Sequence, residues 1–261
     1  MRFIDSHGHI YREYYEEDFD AVVKRAVAAQ VTKIMLPGVT AASMQDIFDA
    51  VGRYPQHLFA LCGLHPTDIP DEPEADLELL ESYLTDPRIV GIGEIGMDLY
   101  HDTSRVELQK RVFRQQLTWA VEHKLAVSLH IRSAYAESLE ILRDFEGSGL
   151  TGILHCFSGG IQEAEWAVRH GFLLGIGGVV TFKNSKLQEI VKAVGLEHLA
   201  LETDSPFLAP VPYRGTRNES SYIPLIAQKV ADLCECSVEK VAEATTANVE
   251  KLFPRLVTHS S

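Results

Sequence analysis

The sequence predicts an α/β fold, a single TIM-like (β/α)8 barrel spanning residues 1–261, and three observations carry the prediction. First, short apolar runs suited to strands alternate with amphipathic stretches suited to helices about eight times in 261 residues, a length at which one such barrel is common. Second, residues able to ligate a metal (His7, His9, Glu94, His130, His155 and Asp204) stand at or just past the C-terminal ends of those runs. A closed barrel gathers such ends on one face, whereas an open sheet would hold its first and eighth strands far apart. Third, no linker, low-complexity tract or composition shift marks a second domain.

Taken in order, Phe3-Ile4 reads as the first strand, and residues 17–30 as a helix with Phe19, Val22, Val23, Ala26 and Val27 on one face. Residues 33–36 form a strand stopped by Pro37-Gly38. Ser43 is placed to cap a helix running toward Tyr54, ahead of Pro55. The third strand is 58–61, with Leu64-His65-Pro66 as its loop; a helix over 74–84 follows, then a strand at 89–92 and a loop carrying Glu94. Ser104 and Glu107 have capping-box spacing and open a helix reaching about His123. Strands at 126–129, 152–154, 172–174 and 199–201 alternate with helices over 135–145, around Trp166 and over 185–194. Helices from about Tyr222 and about Val238 close the chain.

Hydrophobic residues make up 46% and charged residues 23%, ordinary for a soluble globular protein. The four cysteines (Cys62, Cys156, Cys234 and Cys236) lack the spacing of a structural zinc site, so a reducing cytosol is the expected compartment. A strand beginning almost at Met1 leaves no room for a signal peptide, and no apolar run is long enough to span a bilayer. The formal charge of -13 argues against a broad nucleic-acid-coating surface. It does not exclude a nuclease, because bound divalent cations supply their own local positive charge. A monomer with no membrane partner is expected.

His7, His9, His130 and His155 offer nitrogen, Glu94 and Asp204 anionic oxygen, a mixture suited to Zn2+, Mn2+ or Fe2+ and, with water, to Mg2+. Six donors are too many for one catalytic ion with an open position, and two divalent ions bridged by Glu94 account for them better. His7 with His9 would hold one ion and His130 with His155 the other; Asp204 would ligate one and orient or deprotonate a water. His65 has two readings, a hydrogen bond to substrate phosphate or water, and a structural loop residue. Arg132 would pair with a phosphate oxygen or with a surface acid, and Arg214 and Arg217 would touch phosphate or tie a solvated loop. Asp5 is expected to orient a ligating histidine, and Tyr100 and His101 either stack on a base or pack.

Asp5-Ser6-His7-Gly8-His9, Gly63-Leu64-His65-Pro66, Gly93-Glu94-Ile95-Gly96-Met97-Asp98, His130-Ile131-Arg132, His155-Cys156-Phe157-Ser158-Gly159 and Glu202-Thr203-Asp204-Ser205-Pro206-Phe207-Leu208 together resemble the TatD family of metal-dependent hydrolases, over essentially the whole chain. The resemblance implies a TIM-like barrel, a divalent-metal centre with ligands at the same six positions, and phosphodiester hydrolysis, typically as a deoxyribonuclease. Two positions depart from the family pattern, Tyr11 where an Asp is common and Ser220 where a proline is usual. DNA, single-stranded or at ends, is the expected substrate. The alternative is a small-molecule amidohydrolase cleaving an ester, lactone or amide; many such barrels bridge their metals with a modified lysine, and Glu94 stands in that place here. A third possibility, a metal-stabilised binding module, has no need to keep six donors on one face.

Overall fold

The strand runs are apolar at successive positions because each strand is covered on both faces, by helices outside and by packed side chains inside. The computed structural model describes residues 1–258. Its strands are β1 (Phe3–Asp5), β2 (Val31–Leu36), β3 (Leu58–Cys62), β4 (Ile89–Asp98), β5 (Val127–Arg132), β6 (Gly152–Leu154), β7 (Phe172–Ile176) and β8 (Leu199–Leu201). They form one eight-stranded sheet in chain order, each neighbouring pair parallel. The helices are α1 (Arg12–Tyr15), α2 (Phe19–Ala28), α3 (Ser43–Arg53), α4 (Glu74–Tyr83), α5 (Val106–His123), α6 (Tyr135–Arg143), α7 (Ile161–Arg169), α8 (Leu187–Val194), α9 (Ile223–Leu233), α10 (Val238–Leu252) and α11 (Arg255–Thr258).

The barrel is drawn together between its first and last strands by the residues that follow them. Ser6 N–H donates to Leu201 O at 2.9 Å, and Gly8 bridges Ser205 in parallel. Asp204 N–H donates to His7 O at 2.9 Å and His9 N–H to Ser205 O at 2.7 Å. Segments two hundred residues apart in the chain are thus zipped side by side, which carries His7 and His9 to Asp204.

Inside, Ile4, Met35, Phe59, Leu61, Ile153 and Leu173 cluster with Val249 of α10, Phe253 just beyond it and Leu256 of α11, apart from the larger helix-facing core. Those last three plug one end. Buried Lys33 ties the plug down, its Nζ donating to Leu256 O at 2.7 Å and Glu250 Oε1 at 3.1 Å. Phe253 is fully buried. Its replacement by Ala should cost about 3–5 kcal/mol, the usual loss for a large buried aromatic, read as a lower urea midpoint.

Three local expectations give way. Glu94 lies within β4 rather than in a loop, because β4 continues through a register shift between Ile92 and Ile95. Ser43 is the first helical residue of α3, not its cap; its Oγ accepts from Val39 and Thr40 N–H, and Thr40 Oγ1 accepts from Ser43 N–H. Ser104 does not form a capping box, since α5 begins at Val106 and both Ser104 N–H and Oγ–H donate to Asp102. In each case a nearby short polar side chain or a neighbouring strand offers a competing hydrogen bond.

Candidate metal centre

The centre is built around the Glu94 carboxylate. β4 delivers it inward, with Glu94 N–H on Gly38 O at 2.9 Å. Glycine precedes it because a Cβ at Gly93 would stand 2.8 Å from Ser128 Cβ on the neighbouring strand. Oε2 faces His7 Nε2 at 3.1 Å and His9 Nε2 at 3.5 Å. Oε1 faces His130 Nδ1 at 2.8 Å, His65 Nε2 at 3.5 Å and His155 Nε2 at 3.5 Å. Asp204 closes the ring, its Oδ1 3.6 Å from His9 Nε2 and 3.9 Å from His155 Nε2.

Every imidazole in this cup shows one nitrogen to a central carboxylate, and those of His7, His9, His65 and His130 have the other hydrogen-bonded from behind. Ser128 Oγ lies 3.0 Å from His7 Nδ1, and Tyr11 OH 3.0 Å from His9 Nδ1. Thr67 Oγ1 lies 2.8 Å from His65 Nδ1, and Asp98 Oδ2 3.0 Å from His130 Nε2. Glu202 Oε1 lies 3.3 Å from His155 Nδ1, and accepts from Cys156 N–H at 2.6 Å. Holding the outer nitrogen fixes tautomer and ring orientation, the arrangement common among metal-ligating histidines.

The charges are strongly coupled. Burial opposes ionisation of Glu94, but His7, His65 and His155 and the hydrogen bond from His130 outweigh it and hold the carboxyl well below its ordinary range. Burial, then the neighbouring His155, pushes His7 down to about 4, so at neutral pH it is the neutral form that can donate a lone pair. Burial also disfavours the imidazolium of His155, yet Glu202, Glu94 and Asp204 prevail and push it up to about 10. The donor set therefore fits cations. Carboxylates gathered here draw a proton onto His155, and a divalent ion would satisfy the same carboxylates without one.

Potential ligand atoms come within 4.8 Å of one another in three groups, His7–His9–Glu94, His65–Glu94–His130 and His7–His155–Asp204. All six residues expected as ligands meet in one cup, and His65, expected only near substrate, shares the Glu94–His130 group. His7 and His9 lie beyond β1, which ends at Asp5, so the turn and the contact with residues 204–205 set their directions rather than strand alternation. Asp5 holds backbone, not an imidazole: its carboxylate accepts from His7 N–H at 3.3 Å, Thr203 N–H at 2.9 Å and Thr203 Oγ1–H at 2.6 Å.

The arginines stand outside the cup. Arg132 lies over the Tyr100 ring with its guanidinium carbon 4.2 Å from the centroid, and Arg214 over Phe182 at 4.4 Å. Arg217 donates through both terminal nitrogens to Asp18, at 2.9 and 2.6 Å. Tyr100 is exposed, and His101 turns to Asp98 at 2.9 Å.

Sequence reading had given no role to Ser128, Asp98 or Glu202. Their signal was spacing: Ser128 precedes His130 by two on the same strand face, and Glu202 precedes Asp204 by two. Beside Asp204 a cavity of about 290 Å³ opens between Cys156, Phe157, Gly177, Val179, Leu187 and Leu208. Asp204 lines it; Glu94 does not, and its side chain is only 4% exposed against 14% for Asp204. Among the described residues no helix is long and apolar enough to cross a membrane.

Residues 4–254 match the model of the family described as TatD related DNase. An uncharacterized metal-dependent hydrolase of Bacillus subtilis, YabD, is 37% identical over 95% of this chain and 98% of its own. A protein of Erwinia amylovora named 3'-5' ssDNA/RNA exonuclease TatD is 31% identical over 92% of this chain and 95% of its own. The crystal structure of YjjV, a TatD homologue from Escherichia coli, superposes with a TM-score of 0.91 at 30% identity, covering 97% of this chain and 98% of that one.

Proposed function

Because this chain belongs to the TatD family of metal-dependent hydrolases, we propose that it is a two-cation phosphodiesterase that cleaves DNA, single-stranded or at its ends. The observation that carries the reading is the Glu94 carboxylate, with one oxygen turned to His7 and His9 and the other to His130, His155 and His65. In this reading His7 and His9 would hold one ion and His130 and His155 the other, with Glu94 shared between the two and Asp204 a ligand to one. Bound divalent cations lower the pKa of water and offset charge on attacking and leaving oxygens.

The remaining work falls to side chains. Asp204, the carboxylate that opens onto the cavity, takes the proton of the attacking water. Burial opposes its charge, but the hydrogen bond from His9 and the neighbouring His155, His9 and His7 keep its pKa below the ordinary value, so it stays an available acceptor at neutral pH. His65 turns Nε2 into the cup, with Nδ1 held by Thr67 and Asp68, and donates to a phosphate oxygen. Arg132 and Arg214, exposed at the rim, meet flanking phosphates. Arg217 acts less directly, holding Asp18 and the loop it joins.

Tyr11 gives this reading a property of its own. A neutral phenol stands behind His9 where carboxylates stand behind His130 and His155. Tyr11→Phe should weaken the ion on the His7–His9 side about 10–100-fold and leave the other unchanged. Equilibrium dialysis with Mn2+ checks this, and two unchanged affinities would remove Tyr11 from the site.

The reaction is tested by reconstituting the purified protein with Mg2+, Mn2+ or Zn2+ and offering labelled single-stranded DNA beside a panel of esters, lactones and amides. Nucleotide release is expected. Ester or lactone cleavage without it would reverse the assignment in favour of an amidohydrolase.

A further inference from the structure

Large apolar side chains left in solvent need a reason when they gather beside a reaction centre. Tyr14, on the short helix α1, and Phe207, in the loop after β8, are 41% and 48% exposed at the barrel mouth. Their ring centroids lie 5.8 Å apart, and 6.4 and 6.1 Å respectively from that of His9, all in edge-to-face arrangement. The rings are held in place. Phe207 N–H donates to Asp204 O at 2.8 Å, and Phe207 O accepts from Asn218 Nδ2–H at 2.7 Å. Tyr14 stands one turn beyond Tyr11, whose hydroxyl holds His9.

We infer that Tyr14 and Phe207 form a stacking shelf for the unpaired base of the nucleotide adjoining the phosphodiester under attack. This rests on the nuclease reading and adds what the strand is gripped by. With a net charge of -13 and Arg217 already paired to Asp18, Arg132 and Arg214 meet phosphates without the broad basic surface that usually binds a backbone. Aromatic faces bind any base without needing charge, and only a base outside a duplex offers its face. The shelf therefore explains why single strands and frayed ends suit the site.

The test compares KM of the metal-loaded full chain for a short single-stranded oligodeoxynucleotide and for copies lacking the base on either side of the cleaved bond. Phe207→Ala and Tyr14→Ala should each raise KM for the intact strand roughly ten-fold, the loss expected for one base–aromatic stack. On the copy lacking the stacked base, wild type should already show that higher KM and the variants should add nothing. Phe207→Trp should keep the low KM, and Leu79→Ala, an equally exposed apolar site on α4, should leave it unchanged. Unaltered KM in both alanine variants, or equal rises on intact and abasic strands, would overturn the shelf while the nuclease reading stands. Hydrolysis of a lactone or ester with no nucleotide released from any strand would overturn that reading and the shelf's occupant together.

Discussion

Glu94→Gln should empty both cation positions at once and lower hydrolysis by at least roughly a hundred-fold. The substitution preserves shape and changes two things. It removes the negative charge that the surrounding imidazoles hold ionised, and it replaces one carboxylate oxygen by an NH2 donor. That donor must face either the His7–His9 pair or the His130–His155 pair, because Glu94 points one oxygen at each. The ion on the donor's side meets a positive edge, while the other meets a neutral oxygen in place of an anionic one. Elemental analysis after dialysis should fall from about two metals per chain to well below one. A variant that kept both ions would show that Glu94 does not bridge them.

Much of this was legible in the residues because the barrel gathers every strand end on one face. Once strands could be counted, the positions of His7, His9, Glu94, His130, His155 and Asp204 implied a common cup, and they do come together. Less legible was how each side chain is aimed. The apolar run 89–92 looked like a complete strand, but β4 continues to Asp98. Its pairing with β5 resumes at Ile95 after the register shift, and so places Asp98 behind His130. The sequence carries no direct mark of a register shift. Asp5 was expected to orient a ring, yet its Oδ1 is taken by the backbone N–H groups of His7 and Thr203 and its Oδ2 by the Thr203 hydroxyl. Such obligatory backbone donors outcompete a more distant imidazole. Tyr11 looked only like a departure from the family pattern until its hydroxyl was seen on His9.

Asp204→Asn should separate catalysis from assembly more sharply than any other substitution. Asn tolerates the left-handed backbone that Asp204 adopts at φ 54°, and the bond from its N–H to His7 O does not depend on the side chain. Neighbouring segments should stay zipped and the fold intact. The amide oxygen can still face His9 and His155 at the distances Asp204 Oδ1 now keeps, 3.6 and 3.9 Å, so metal content should survive. What is lost is the capacity to accept a proton, since a carboxamide is no base at neutral pH. Turnover should therefore drop about 10²–10⁴-fold, the usual contribution of a positioned general base, with KM little changed. The readout is kcat alongside metal per chain. Turnover equal to wild type on every substrate would take the proton-accepting role from Asp204, and loss of a metal with the activity would make its first duty that of a ligand.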